Sequence, residues 1–168
     1  MVTISVVEAS APQRLTDTAA SLAAAATTLT STVDAQRRAL TALRAGWPET
    51  DTAGTAADTG IARLTALSAR LTAMQRALAG AGANLTALRE QILPMRDQVI
   101  KLGGKVDDDG TVAPLVRPFG TMQLLTPAVC ASYTDCFTAL LTQFDNVDEA
   151  TANALGVNWS TPASSPDP

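Results

Sequence analysis

Residues 61–102 read IARLTALSARLTAMQRALAGAGANLTALREQILPMRDQVIKL. Their large apolar side chains fall at Leu64, Leu67, Leu71, Met74, Leu78, Leu85, Leu88, Ile92, Met95, Val99 and Leu102, with Ala81 filling the gap. The steps alternate three and four without a break. That is a heptad seam, with apolar residues at its a and d positions over nearly six heptads. A helix of this length runs roughly 60 Å at about 1.5 Å per residue. A rod with one apolar stripe cannot bury that stripe alone, so it needs partner helices. Gly60, Gly80, Gly82 and Pro94 weaken the helix locally. Because the register passes unbroken through the Gly80-Ala81-Gly82 stretch and Pro94, the pattern predicts one bent helix over 53–102.

A second seam precedes it, carried by Leu15, Ala19, Leu22, Ala26, Leu29, Val33, Gln36, Leu40 and Leu43. It predicts a helix over 12–45, with Pro12 in its first turn and Ser10 as a cap. Gly46 and Pro48 stop that helix. A turn containing Trp47 then leads into the long helix. Thr3, Ile4, Val6 and Val7 weakly favour an extended arm or a frayed lead-in at 1–10.

After Gly103-Gly104, the run Val106-Asp107-Asp108-Asp109-Gly110-Thr111-Val112 predicts a small β-hairpin within 103–114. A loop over 115–125 follows. Thr126-Pro127 opens a third helix, 127–155, whose seam is Val129, Tyr133, Phe137, Leu140, Phe144, Val147, Thr151 and Leu155. Gly156 is expected to close it. The polar tail 157–168 is expected to be disordered.

The expected fold is therefore all-α: a long antiparallel, coiled-coil-like helical hairpin with a third packed helix and a short β-turn element. Residues 1–156 form its single helical domain. The chain's own three helices could close the seams, or a second chain could share them.

Composition narrows the function. The chain has 168 residues, 46% hydrophobic but only 4% aromatic, and a net charge of −4. Alanine supplies much of the apolar content, which suits closely packed helices. No basic cluster offers a face for nucleic acid. No run approaches the roughly 18 apolar residues of a membrane span. Met1 to Glu8 lacks the basic start and apolar core of a Sec signal peptide.

Catalytic patterns are missing. There is no histidine, so no Ser–His or Cys–His couple forms within the chain. Asp107-Asp108-Asp109-Gly110 departs from a calcium loop, because Lys105 and Val116 stand where acids belong. Cys130 and Cys136 lie on different faces of a helix and read as free, mostly buried thiols. Glu90, Asp97, Asp145, Asp148 and Glu149 fall between seam positions, as a solvated helix face requires. No enzymatic activity, cofactor or metal is expected. Trp47, beside Pro48 in the turn, reads equally as a plug over the helix ends or as an anchor for a partner.

Two Ala/Leu-rich heptad helices joined by Trp47-Pro48-Glu49, with Gly54-Thr55-Ala56-Ala57-Asp58 behind, resemble the Trp-x-Gly (WXG) helical hairpins of actinobacterial type VII (ESX) secretion. The run Val106–Val112 and the third-helix segment Phe144–Ala152 are similar to larger WXG-like modules of mycobacterial proteins, some encoded near or fused to hydrolases. The likeness covers residues 12 to about 155. Glu49 replaces the glycine of the triplet, and Tyr133 is followed four residues later by Phe137 rather than the acid of the group's export signal.

The resemblance implies a non-enzymatic protein that pairs by its helices, as a homodimer or as a heterodimer with a WXG-like protein or effector. It would be cytoplasmic before export, then secreted or envelope-associated by a Sec-independent route. Trp47, Pro48 and Gly54 are the candidate contact residues. Leu64, Leu71, Met74, Leu78, Leu85, Leu88, Ile92 and Met95 are the candidate seam. The alternatives are a self-contained structural bundle and an accessory domain for a separately encoded hydrolase.

Overall fold

The heptad seams become helices, and helices take up most of the chain. The computed structural model describes residues 2–46, 51–115 and 125–159, with backbone alone at 51–53 and 157–159. Among these residues it holds α1 (Ile4–Ala9), α2 (Gln13–Gly46), α3 (Asp51–Lys101), β1 (Gly104–Val106), β2 (Val112–Pro114) and α4 (Pro127–Trp159). The strands form one antiparallel pair, with Val106 opposite Val112. No helix among the described residues is long and apolar enough to cross a membrane.

α3 is a single helix of 51 residues, with Pro94 inside it. The glycines at 60, 80 and 82 do not interrupt it. An added Cβ at Gly60 or Gly80 would meet nothing within 4 Å. These glycines therefore lower helix propensity without marking a close approach. At the far end of the chain the expectation of a stop at Gly156 is corrected. Among the described glycines only Gly103 and Gly110 have positive φ, so Gly156 makes no left-handed cap and α4 runs on to Trp159. Thr126 does cap α4, accepting from the Val129 amide at 3.3 Å.

The chain divides into two compact units. The first gathers the residues up to Arg14 with Gly80–Asn153. Its core is Val7, Ile92, Val99, Leu125, Phe137 and Leu141, all almost fully buried. Along α3, Ala81, Leu85, Leu88, Ile92 and Val99 are buried in turn, so this part of the seam is closed. Gly110, at φ +90°, closes the β1–β2 turn. Its hypothetical Cβ would stand 2.8 Å from Phe137 Cβ, so the hairpin lies directly against α4. Thr134 Oγ1 accepts from the Val112 amide at 2.9 Å and pins β2 there.

Of the extended arm and the frayed helix lead-in expected as alternatives at residues 1–10, the helix forms, as α1, and the extended arm is corrected. Six residues make too few hydrogen bonds to hold a helix alone. Tertiary contacts supply the rest. The Asp108 carboxylate accepts from the Ser5 amide at 2.7 Å, and the Asp108 carbonyl accepts from the Ile4 amide at 2.9 Å. At the other end, the Arg89 guanidinium donates to the carbonyls of Val7 and Glu8. A cation at the carbonyl end of a helix also complements its dipole. Arg96 pairs with Glu8 at 3.0 Å. Ser10 caps the end of α1, donating to the Val7 carbonyl, instead of opening α2.

The second unit gathers Leu15–Ala79 with the chain from Ala154 onward. It is mostly α2 and the first half of α3. The buried side chains on α2 are small: Ala19, Ala26 and Val33, all at the heptad a position. Ile61 and Leu78 are buried on α3.

Candidate functional site

In the second unit the seam is not closed. Leu64, Leu71 and Met74 on α3 are half-buried, and Leu67 is 47% exposed. On α2, Leu22, Leu29 and Leu40 are half-buried and Leu43 is 45% exposed. Expected seam positions Leu67, Leu43 and Val129 are thus corrected to exposed ones. The heptad pattern marks what can be buried. It does not say what covers it.

The two sides of the α2–α3 pair differ in chemistry. One side carries the hydrogen-bonded links. Thr30 Oγ1 and Ser68 Oγ share a hydrogen bond at 2.8 Å, and Arg37 donates to Thr65 Oγ1 at 3.1 Å. A groove of roughly 380 Å³ there mixes these residues, Asp34 and Thr72 with the apolar Val33, Ala69 and Ala73. The other side is apolar. Ala39, Leu40 and Leu43 face Gly60, Ile61 and Leu64 across an open groove of roughly 810 Å³, with Arg63 at its edge. By heptad position the groove residues include a (Leu40, Leu64), d (Leu43, Gly60) and e (Ile61) positions, with the g positions Ala39 and Arg63 among its lining. On α2 the g residues are Thr18, Ala25, Thr32 and Ala39; on α3 they are Ala56, Arg63, Arg70 and Ala77.

Gly54 is buried in the first turn of α3. A Cβ there would meet the Arg44 guanidinium at 2.9 Å. That guanidinium crosses it to bind Asp58 at 2.6 Å. Gly54 therefore makes room for an ion pair, and both partners of that pair are about half exposed. Trp47 and Pro48 lie outside the described residues. Of the expected seam, Leu78, Leu85, Leu88 and Ile92 are buried and Met95 is half-buried.

The aspartate run has structural duties. Asp107 pairs with Lys105, Asp108 holds α1, and Asp109 accepts from the Thr111 amide. Hydrogen bonds from Ser5, side chain and backbone, and from Thr3 hold the Asp108 carboxyl below its ordinary range. The backbone and hydroxyl of Thr111 do the same for Asp109. Among the described residues no group of three or more His, Cys, Asp or Glu is placed to hold a metal ion. Cys130 and Cys136 are both free; Cys130 is buried, while Cys136 is exposed, which corrects the expectation of mostly buried thiols.

In the first unit a smaller groove of roughly 400 Å³ is lined by Asn84, Gln91, Gln143 and Asn146 together with Ala87, Leu88 and Val147.

No protein-family profile matches the chain, and no curated protein or solved structure is significantly similar to it.

Proposed function

We propose that this chain is a non-enzymatic helix-pairing protein, which receives a partner helix on the leucine face of α2 and α3. One observation carries this reading. Along the same heptad seam Leu78, Ala81, Leu85, Leu88, Ile92 and Val99 are buried and Met95 is half-buried, whereas none of Leu64, Leu67, Leu71 and Met74 is fully buried and Leu67 is 47% exposed. Exposed leucines grouped along a groove mark an interaction site more often than scattered ones do. An amphipathic helix laid into a hydrophobic groove is the occupant that heptad spacing suits.

The finer architecture belongs to the same proposal: α2 and α3 pair antiparallel, as a hairpin. Three links between them support it. Thr30 meets Ser68, Arg37 meets Thr65 and Arg44 meets Asp58, so the position on α3 falls as that on α2 rises. This arrangement agrees with the resemblance to WXG-like hairpins, and type VII secretion is the process we propose it serves.

A photo-crosslinking amino acid at Leu67 tests the reading in the producing cell, with Ala62 on the outer surface as control. The expected result is a discrete adduct at position 67 whose second component, identified by mass spectrometry, is a helical protein. Equal labelling from both positions would leave a self-contained structural bundle as the better account.

A further inference from the structure

The charge on the rim of the leucine face selects the kind of helix it takes. This inference rests on the pairing function proposed above and concerns the same surface. Arg63 and Arg70 stand seven residues apart on α3, each one residue before a seam leucine. Both are exposed, and neither makes an ion pair with another described residue. Arg37, Arg44 and Arg96 each hold an acid; Arg38 and Arg76 hold none among the described residues, but they fall at f positions, away from this face. The opposite rim, on α2, is Thr18, Ala25, Thr32 and Ala39, with no charge.

A second copy of this chain supplies nothing to answer these arginines. Its leucine face has the same two rims, so its docking sets arginine against arginine or against threonine and alanine. Like charges across a helix interface disfavour pairing, and g-position charges choose partners. The chain's own residues 160–168 carry no large apolar side chain that could fill the groove. We infer that the leucine face of α2 and α3 receives an acidic amphipathic helix from a different protein. Its leucine-type stripe would lie in the groove. Carboxylates seven residues apart along one edge would meet Arg63 and Arg70, which suit bidentate carboxylate pairing.

Two synthetic helices of about three heptads test this, identical but for glutamate or lysine at their flanking positions. Each is titrated against the full chain by fluorescence anisotropy. The glutamate peptide is expected to bind roughly tenfold tighter, as two exposed ion pairs allow, with the difference shrinking as salt rises. The double variant Arg63→Glu, Arg70→Glu should reverse the order. Both sites are exposed, so circular dichroism should show the fold unchanged. Equal binding of both peptides by the wild-type chain and the double variant would overturn the acidic partner and leave pairing intact. Failure of both peptides to bind the wild type would remove the pairing function itself. A dimer of the chain that neither peptide dissociates would assign the face to a second copy and overturn the inference.

Discussion

Leu67 and Leu88 occupy the same d position of one heptad seam on one helix, yet Leu88 is 8% exposed and Leu67 is 47% exposed. The difference predicts opposite responses to the same substitution. Leu88→Asp, like Leu85→Asp, places a charge in the closed core and should lower stability by about 3 kcal/mol or more. Leu67→Asp should change it by about 0.5 kcal/mol or less, because the carboxylate stays in water. Thermal melts of the variants decide between them; equal losses at 67 and 88 would mean that both stretches of seam are covered. The glycines divide in the same manner. Gly110→Ala forces a side chain onto a left-handed backbone against Phe137 and should cost about 1–3 kcal/mol. Gly60→Ala meets open space inside a helix and should stabilise by up to about 1 kcal/mol.

At the scale of elements, α1 is the piece whose stability comes from elsewhere in the chain. Asp108 binds its first turn while ionised, and the carboxyl titrates below its ordinary range because of that binding. A folded-state pKa below the unfolded one contributes stability that is present above the unfolded value, near 4, and is lost as pH falls through the folded value. Asp109 adds to the same window in the same direction. The protection factors of the α1 amides, that is, exchange corrected for the intrinsic rate at each pH, should therefore stay high at neutral pH and fall below about pH 4. In Asp108→Asn that acid-induced step should shrink. Unchanged pH dependence in this variant would show that Asp108 does not hold the helix.

α1 also shows where sequence reading stops. Ile4, Val6 and Val7 favour strand locally, and the residues that override them, Arg89 and Asp108, lie 81 to 103 positions away in the chain. The long helices were legible because periodicity is a local property, and so were the β-hairpin at Gly104–Pro114 and the Thr126 cap. The run to Trp159 was not, since a glycine ends a helix only if its backbone turns left-handed, and Gly156 does not. The candidate site was half legible. Heptads located the leucines, but Leu67 and Leu88 have identical local patterns, so only the tertiary arrangement separates open seam from closed. Arg63 and Arg70 drew no reading from the sequence, because nothing local separates an unpaired helix charge from a paired one.

For the whole molecule, the account divides the chain by how well each unit satisfies itself. The first unit has aromatic side chains, a β-hairpin and α1 to close its seam. The second buries small side chains on α2, alanine above all, and alanine buries little area. Such a unit keeps its leucines available. On the proposed reading this face is open in the isolated chain and takes its helix from a different protein. Light scattering of the purified protein, from micromolar to near-millimolar concentration, tests it most directly. The account predicts a monomer of 17.3 kDa throughout, because the arginine rim opposes self-pairing. A stable dimer at micromolar concentration that Leu67→Asp returns to monomer would contradict it, by showing that the chain covers its own leucine face.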